Sequence, residues 1–158
     1  MIKLRKFRYF NDTTAVAKLI RSTFRQFSSK KDECVYGGAK KYFNLYNKPQ
    51  KELLKNFRRS PIFFVAVDNK KIVGLIRGNK GRIINFYVYK RYQGKGIGFM
   101  LIKKFEVECK KQKSNLIKVR ASLFSVSIYQ KFGYKKTTGS RKYQRMGLIL
   151  QPMQKLFK

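Results

Sequence analysis

The chain has 158 residues, with 39 Lys and Arg against 7 Asp and Glu, a formal charge of +32. It has no His, no Trp and two cysteines, Cys34 and Cys109. Without imidazole there is no Ser-His-Asp or Cys-His pair and no His-based zinc site. Two thiols far apart in sequence give neither a zinc tetrad nor a disulfide framework. Scarce carboxylates disfavour a paired acid/base or a metal cage, so no metal is expected, and backbone amides, Tyr, Ser, Lys and Arg remain for chemistry.

The length suits one domain, residues 1–158, with a sizeable core. Apolar residues make up 43% and aromatics 15%, so the charge does not imply disorder. A small domain carries a net charge of roughly 2–8 in magnitude. Here the excess is spread evenly: residues 1–79 hold 19 basic and 5 acidic side chains, residues 80–158 hold 20 and 2. A nucleic-acid site concentrates its charge in a cluster or stripe. An even spread reads as a solvated bias, with a polyanionic partner such as RNA as the alternative. No apolar run is long enough for a membrane span. The first ten residues lack the continuous apolar core of a signal peptide, so a cytoplasmic setting is expected.

In chain order, residues 2–9 alternate and predict a strand. Asn11-Asp12-Thr13 is a helix-start signal. Val16, Leu19, Ile20, Phe24 and Phe27 then recur at helical spacing, predicting a helix over 12–27. A polar loop follows over 28–33. A second helix is expected over 36–46, carrying Tyr42, Phe43 and Tyr46. A third is expected over 49–59, with Pro49 at its first position. Residues 62–67 and 71–77 form a hairpin around Asp68-Asn69-Lys70, and 82–89 is a third antiparallel strand. A helix follows from Ile97 to about Lys113. A strand over 115–121, a short helix over 124–131 and two closing strands, 134–138 and 146–150, complete the chain. Gly139 to Arg145 separate the last two strands. Seven strands and five helices in this order make a mixed α/β fold.

Between the 82–89 strand and the next helix lies Gln93-Gly94-Lys95-Gly96-Ile97-Gly98. Glycines bring backbone amides close to a ligand, and a helix start is electropositive with free N–H groups, which suits phosphate. The spacing fits neither a Walker loop nor a dinucleotide fingerprint. Read alone, it is also compatible with a ligand-free turn. The Gln-x-x-Gly-x-Gly spacing resembles the pyrophosphate loop of the GNAT superfamily, the acetyl-CoA-dependent N-acetyltransferases. The preceding Phe86-x-Val88 and following Ile97-Gly98-x-x-Leu101 share the resemblance. So does Ile128-Tyr129-Gln130-Lys131-Phe132-Gly133-Tyr134, similar to that family's aliphatic–Tyr–x–Lys–x–Gly–aromatic segment. Taken alone, Tyr129 is also compatible with packing on the sheet.

The resemblance implies a V-shaped, mostly antiparallel seven-stranded sheet flanked by helices, with acetyl-CoA lying in the V as co-substrate. It implies acetyl transfer to a primary amine by direct attack, with Tyr129 as general acid protonating the leaving thiolate. It implies that Phe86, Val88, Gln93, Gly94, Lys95, Gly96, Ile97, Gly98, Phe99, Ser122 and Ser125 meet the co-substrate. The sequence departs from the family pattern at Lys90, where Pro is common, at Ser122 for Asn, and at Ser125 for Ala. The 82–89 and 115–121 strands hold no carboxylate, so the base is expected to be a water positioned by Asn85, Tyr87, Tyr89 or backbone carbonyls; the alternative is that these side chains only line the pocket or pack. A strongly positive site also disfavours an ammonium, lowering the need for a base. The expected partner is a small-molecule or peptide amine, with weak electrostatic association with RNA, no membrane, and a monomeric or homodimeric state. The alternatives are an RNA- or ribosome-associated binder on the same fold, or transfer from another acyl-CoA.

Overall fold

The computed structural model describes residues 1–27 and 38–157. Asp32, Glu33, Cys34 and the loop expected over 28–33 lie outside the described residues. The elements run β1 (Lys3–Lys6), α1 (Tyr9–Phe27), α2 (Gly38–Leu45), α3 (Gln50–Phe57), β2 (Ile62–Asp68), β3 (Lys71–Asn79), β4 (Arg82–Val88), α4 (Ile97–Lys111), β5 (Leu116–Ser122), α5 (Val126–Lys131), β6 (Lys135–Lys136), β7 (Arg141–Tyr143) and β8 (Leu148–Leu156). One eight-stranded sheet has the order β1-β2-β3-β4-β5-β8-β6, with β7 also paired to β8.

Every pairing is antiparallel except β4 with β5. Those two strands meet only through Arg82↔Lys118 and Ile83↔Val119. A register shift between β3 and β4 falls at this point, where Arg77 faces Asn85 and Gly78 faces Ile83. The extra residue, Ile84, bends β4 away from β5, as bulges do. The sheet therefore opens into a V, with Val88 and Ser122 at the ends of the parted strands.

Each face of the sheet buries its own core. Ile62, Phe64, Val73 and Ile76 point to one side, against Leu101, Ile102 and Phe105 of α4. Phe63, Val65 and Leu75 point to the other, against Val16, Leu19, Ile20, Leu53 and Phe57 of α1 and α3. Two-residue alternation along β2 and the helical stripe of α1 make these two cores. Cys109 is fully buried on α4 within the first.

Among the expected boundaries that move, three have a visible cause. The first helix starts at Tyr9 rather than residue 12. Asp12 does not cap it from in front. Its N–H donates to the Arg8 carbonyl while its carboxylate accepts the Arg8 N–H at 2.8 Å, closing the first turn in both directions. Arg5 adds two further bonds to that carboxylate, at 2.5 and 2.9 Å. The first strand ends at Lys6 because Phe7 turns inward and stacks on Phe63, with centroids 4.0 Å apart. Pro49 is the residue before α3 rather than its first residue, and its carbonyl accepts the N–H groups of Glu52 and Leu53.

The closing region holds three strands rather than two, so the sheet has eight strands rather than seven. β8 runs on to Leu156, past Pro152. The Pro152 carbonyl accepts the Thr137 N–H beside the gap between β6 and β7. A residue without an N–H is tolerated where the ladder is interrupted. β7 forms within the stretch expected as a connection, pairing Arg141–Tyr143 with Leu148–Leu150.

Burial works to raise the Asp12 pKa, but the bonds from Arg5 and the Arg8 amide outweigh it and hold the carboxyl below its ordinary range. A carboxyl depressed by folding stabilises the fold above its unfolded pKa of about 3.9. That contribution disappears as pH falls through the lower folded value. Asp12→Asn is expected to cost about 1–2 kcal/mol at pH 7. Urea unfolding at pH 7 and pH 3 will show the wild-type advantage shrinking with acid.

Candidate active site

The opening between β4 and β5 forms a cleft of about 820 Å³. Two sets of residues wall it. One set comes from β4, the α4 start and the α5 region; the other comes from α1, α2 and the C-terminal strands.

On the first side, a 3-10 turn over 90–92 leads into the glycine loop. Gln93 donates its side-chain amide to the Val88 carbonyl at 2.9 Å, stapling the loop to the end of β4. Gly96 caps α4 with φ +77°, a left-handed conformation that favours glycine. The first helical bond runs from Met100 N–H to the Gly96 carbonyl. Among the described residues, the N–H groups of 94–99 donate to no backbone acceptor. Six successive amides are thus left without a backbone partner at the positive end of a 15-residue helix. Lys95 is exposed, with Nζ 5.4 Å from the Tyr92 ring centre. Phe99 is exposed and Ile97 is buried beneath the loop.

Beyond the loop, Phe86 leads from β4 to Tyr129, their ring centres 5.9 Å apart. Tyr129 is 5% exposed and lines the cleft. Its position is set by the turn that follows α5. Tyr134 N–H returns to the Tyr129 carbonyl and Gly133 N–H to the Gln130 carbonyl, with Gly133 at φ +88°. This is a Schellman stop, and the Tyr129–Tyr134 ring contact at 5.5 Å is its hydrophobic clasp. Lys155 ties the same turn to α4: its Nζ bonds the Phe132 carbonyl at 2.7 Å and buried Glu106 at 2.8 Å. Burial pushes the Tyr129 pKa well above the ordinary phenol value, so the group stays protonated. No hydrogen bond is made by its hydroxyl among the described residues.

Ser122 and Ser125 also line the cleft. Ser125 Oγ donates to the Ser122 carbonyl at 2.9 Å, so the 2.9 Å bond between the two hydroxyls uses the Ser122 proton. Both protons are spent locally, so the two hydroxyls have only lone pairs left to offer a ligand.

The second side holds a network the sequence did not announce. Arg77, in the middle of β3, is 2% exposed. All five of its N–H donors are used on neutral acceptors. Nε donates to Asn85 Oδ1 at 2.5 Å; Nη1 reaches Asn56 O and Ser60 Oγ; Nη2 reaches Asn56 Oδ1 and Tyr46 Oη. Its guanidinium lies 4.8 Å from the Phe57 ring centre. Tyr46 also donates to Asn85 Oδ1, at 3.0 Å. A guanidinium only donates, so the Asn85 atom facing it is oxygen and its amide nitrogen faces away. That nitrogen donates to Tyr42 Oη at 3.0 Å, and Tyr42 Oη lies 2.6 Å from Tyr87 Oη. Asn85 is therefore a hub committed to three side chains, and Tyr42 and Tyr87 are the cleft wall it supports. Burial dominates in raising both tyrosine pKa values, so both remain phenols.

The chain matches the acetyltransferase (GNAT) domain family over residues 30–157. It belongs to that family. It is an acyltransferase of the acetyl-transferring type. Solved structures share its fold. A GCN5-related N-acetyltransferase from Rhodopseudomonas palustris has TM-score 0.82 and 16% identity over 98% of this chain and 95% of that one. The PaiA N-acetyltransferase from Thermoplasma acidophilum, solved with coenzyme A, has TM-score 0.77 and 19% identity over 99% of each chain. A ribosomal-protein-alanine N-acetyltransferase from Brucella melitensis has TM-score 0.70 and 18% identity over 98% and 99%. No curated protein sequence matches the chain significantly. No helix among the described residues is long and apolar enough to cross a membrane.

The structure brings Phe86, Val88, Gln93, Gly94, Gly96, Gly98, Phe99, Ser122, Ser125 and Tyr129 together along one side of the cleft, and Asn85 and Tyr87 to the other; Lys95 and Ile97 do not line it, the Ile97 side chain packing in the core. Arg77, Tyr42, Tyr46 and Thr23 are the site-building residues that sequence reasoning missed. The available signal was an arginine inside the apolar run of β3. Gly133→Ala is expected to cost about 1–2 kcal/mol, because an L residue there must hold a left-handed backbone; urea unfolding measures it.

Proposed function

We propose that this GNAT protein transfers an acetyl group from acetyl-CoA to a primary amine by direct attack. The observation that carries the reading is the pairing of two features in one cleft. Six free amides begin α4, and a buried, protonated tyrosine with an unbonded hydroxyl stands across from β4.

The amides of residues 94–99 suit the pyrophosphate, with Lys95 adding charge at the mouth. The parted ends of β4 and β5 leave unpaired backbone near Val88 for the pantetheine arm, with Ser122 and Ser125 opposite as acceptors. Phe86 and Phe99, with Phe132 between them at 6.3 and 6.2 Å, provide apolar surface beside it. Tyr129 donates its proton to the sulfur as the carbon–sulfur bond breaks. The amine nitrogen forms the new bond to the acetyl carbon, and its proton leaves to water on the Tyr42–Tyr87 wall. Asn85 acts there as a positioning residue. No carboxylate lines the cleft among the described residues. The Arg77 charge behind that wall disfavours an ammonium, so the amine is held in its reactive neutral form.

A panel of amines with mass detection of acetylated product tests the reading. Tyr129→Phe is expected to lower kcat by about 100-fold or more while leaving coenzyme A affinity unchanged. A raised phenol pKa keeps the acid protonated as pH rises, so kcat is expected not to fall on the alkaline side below about pH 10. Full activity in the variant across pH removes Tyr129 from the acid role.

A further inference from the structure

The Arg77 network carries a charge and a donor that its internal bonds do not consume. Among the described residues its cation has no carboxylate partner: its acceptors are Asn56, Ser60, Tyr46 and Asn85. Burying an unpaired charge costs several kcal/mol, so an anion entering beside it meets a field already in place. Counting protons then identifies the donor. Tyr42 Oη accepts from Asn85, and one proton lies between Tyr42 and Tyr87. Two hydroxyls own two protons, so one O–H of the pair remains beyond the bond that joins them; Tyr46 lies within reach of Tyr42 as an internal acceptor for it, and both rings line the cleft, where a ligand competes for the same proton.

A second observation points to the same place. Thr23, on α1, is 2% exposed, lines the cleft, and its Oγ1 has no hydrogen-bond partner among the described residues. An unsatisfied buried hydroxyl is costly and suits a site whose partner arrives with the substrate. Around these donors the wall is apolar: Phe24, Met146, Leu148 and Leu150.

We propose that this end of the cleft binds the carboxylate of the acceptor amine, through Thr23 Oγ1 and the spare hydroxyl of the Tyr42–Tyr87 pair, with Arg77 supplying the charge behind them. The acceptor class is an amino acid, or a short peptide with its free carboxylate within reach, bearing an apolar side chain. The proposal rests on the amine-acetylation reading and specifies its substrate.

The test is calorimetric binding of N-acetyl-leucine and N-acetyl-leucinamide to the full chain saturated with coenzyme A. Wild type is expected to bind the acid at least about tenfold tighter than the amide, the value of a hydrogen bond to a charged group. Thr23→Val is expected to reduce that ratio to about threefold or less with unchanged or higher Tm, because the hydroxyl it removes is unsatisfied. The Tyr42→Phe/Tyr87→Phe double variant, checked for folding by circular dichroism, is expected to reduce it likewise. Equal or tighter binding of the amide overturns the proposal. So does an acid preference that survives both variants, since general surface charge then explains it. Transfer to leucine, leucinamide and isopentylamine is assayed in parallel. Acid-selective binding without transfer to any of them sinks the transfer reading and leaves the subsite. Equal transfer to all three sinks the subsite and leaves the transfer reading.

Discussion

A guanidinium buried without a counterion among the described residues sets the architecture of the acceptor side. Arg77 can remain charged there only because every N–H has an acceptor, and those acceptors come from different parts of the chain. Asn56 belongs to α3, Ser60 to the turn after it, Asn85 to β4, and Tyr46 follows α2. Losing any of them would leave part of a buried cation unsatisfied, which costs more than an ordinary hydrogen bond contributes. The requirement fixes how α2 and α3 lie against β3 and β4. Phe57 and Phe63 cover the guanidinium, so the apolar core and the polar network close over the same atom group.

The bulge at Ile84 links this network to the other half of the cleft. Without it, Asn85 would lose its place opposite Arg77, and β4 would continue beside β5. With it, Phe86 and Val88 face α4 and α5 while Asn85 and Tyr87 face α1 and α2. One strand thus divides the cleft into a side that presents backbone amides and a phenol, and a side that presents hydroxyls over a cation. The surface excess of base is not repeated in the interior, where the buried charges among the described residues are two acids, Asp12 and Glu106, and one base, Arg77. Glu106 holds Lys155 and Lys103, at 2.8 and 3.6 Å, while among the described residues Arg77 meets only neutral dipoles.

The parts legible in the sequence are those whose physics is local. A glycine spacing between a strand and a helix, and a glycine stop after a short helix, are contiguous features that act within a turn or two. They placed the loop at 94–99 and the Tyr129 segment, and with them the mixed sheet. The Arg77 network was illegible because its members lie between positions 42 and 87 and meet only when α2, α3, β3 and β4 pack together. Tyr42 and Tyr46 have the spacing of ordinary apolar-face residues, and Asn85 reads as a holder of water rather than as a partner of Arg77. Thr23 carried no signal, since its singularity is a partner it lacks. At the C-terminus, Pro152 and Gln151 broke the alternation that β8 in fact continues. At the N-terminus, Asp12 was read as a helix start because its role there depends on Arg5, which arrives from β1.

The two walls are coupled through the acceptor on the proposed reading. An uncompensated Arg77 lowers the affinity of the cleft for any simple cation, which excludes polyamines and lysine-rich tails despite their abundant amines. A zwitterionic acceptor avoids this penalty, because its carboxylate meets the field before its nitrogen does. Once the carboxylate is bound, part of the field is neutralised, and the amine's proton is held less weakly than beside the bare cation. The carboxylate that selects the acceptor therefore also moderates its deprotonation. The site balances anchoring against activation with one buried charge, in a cleft where the described residues provide no carboxylate to do either.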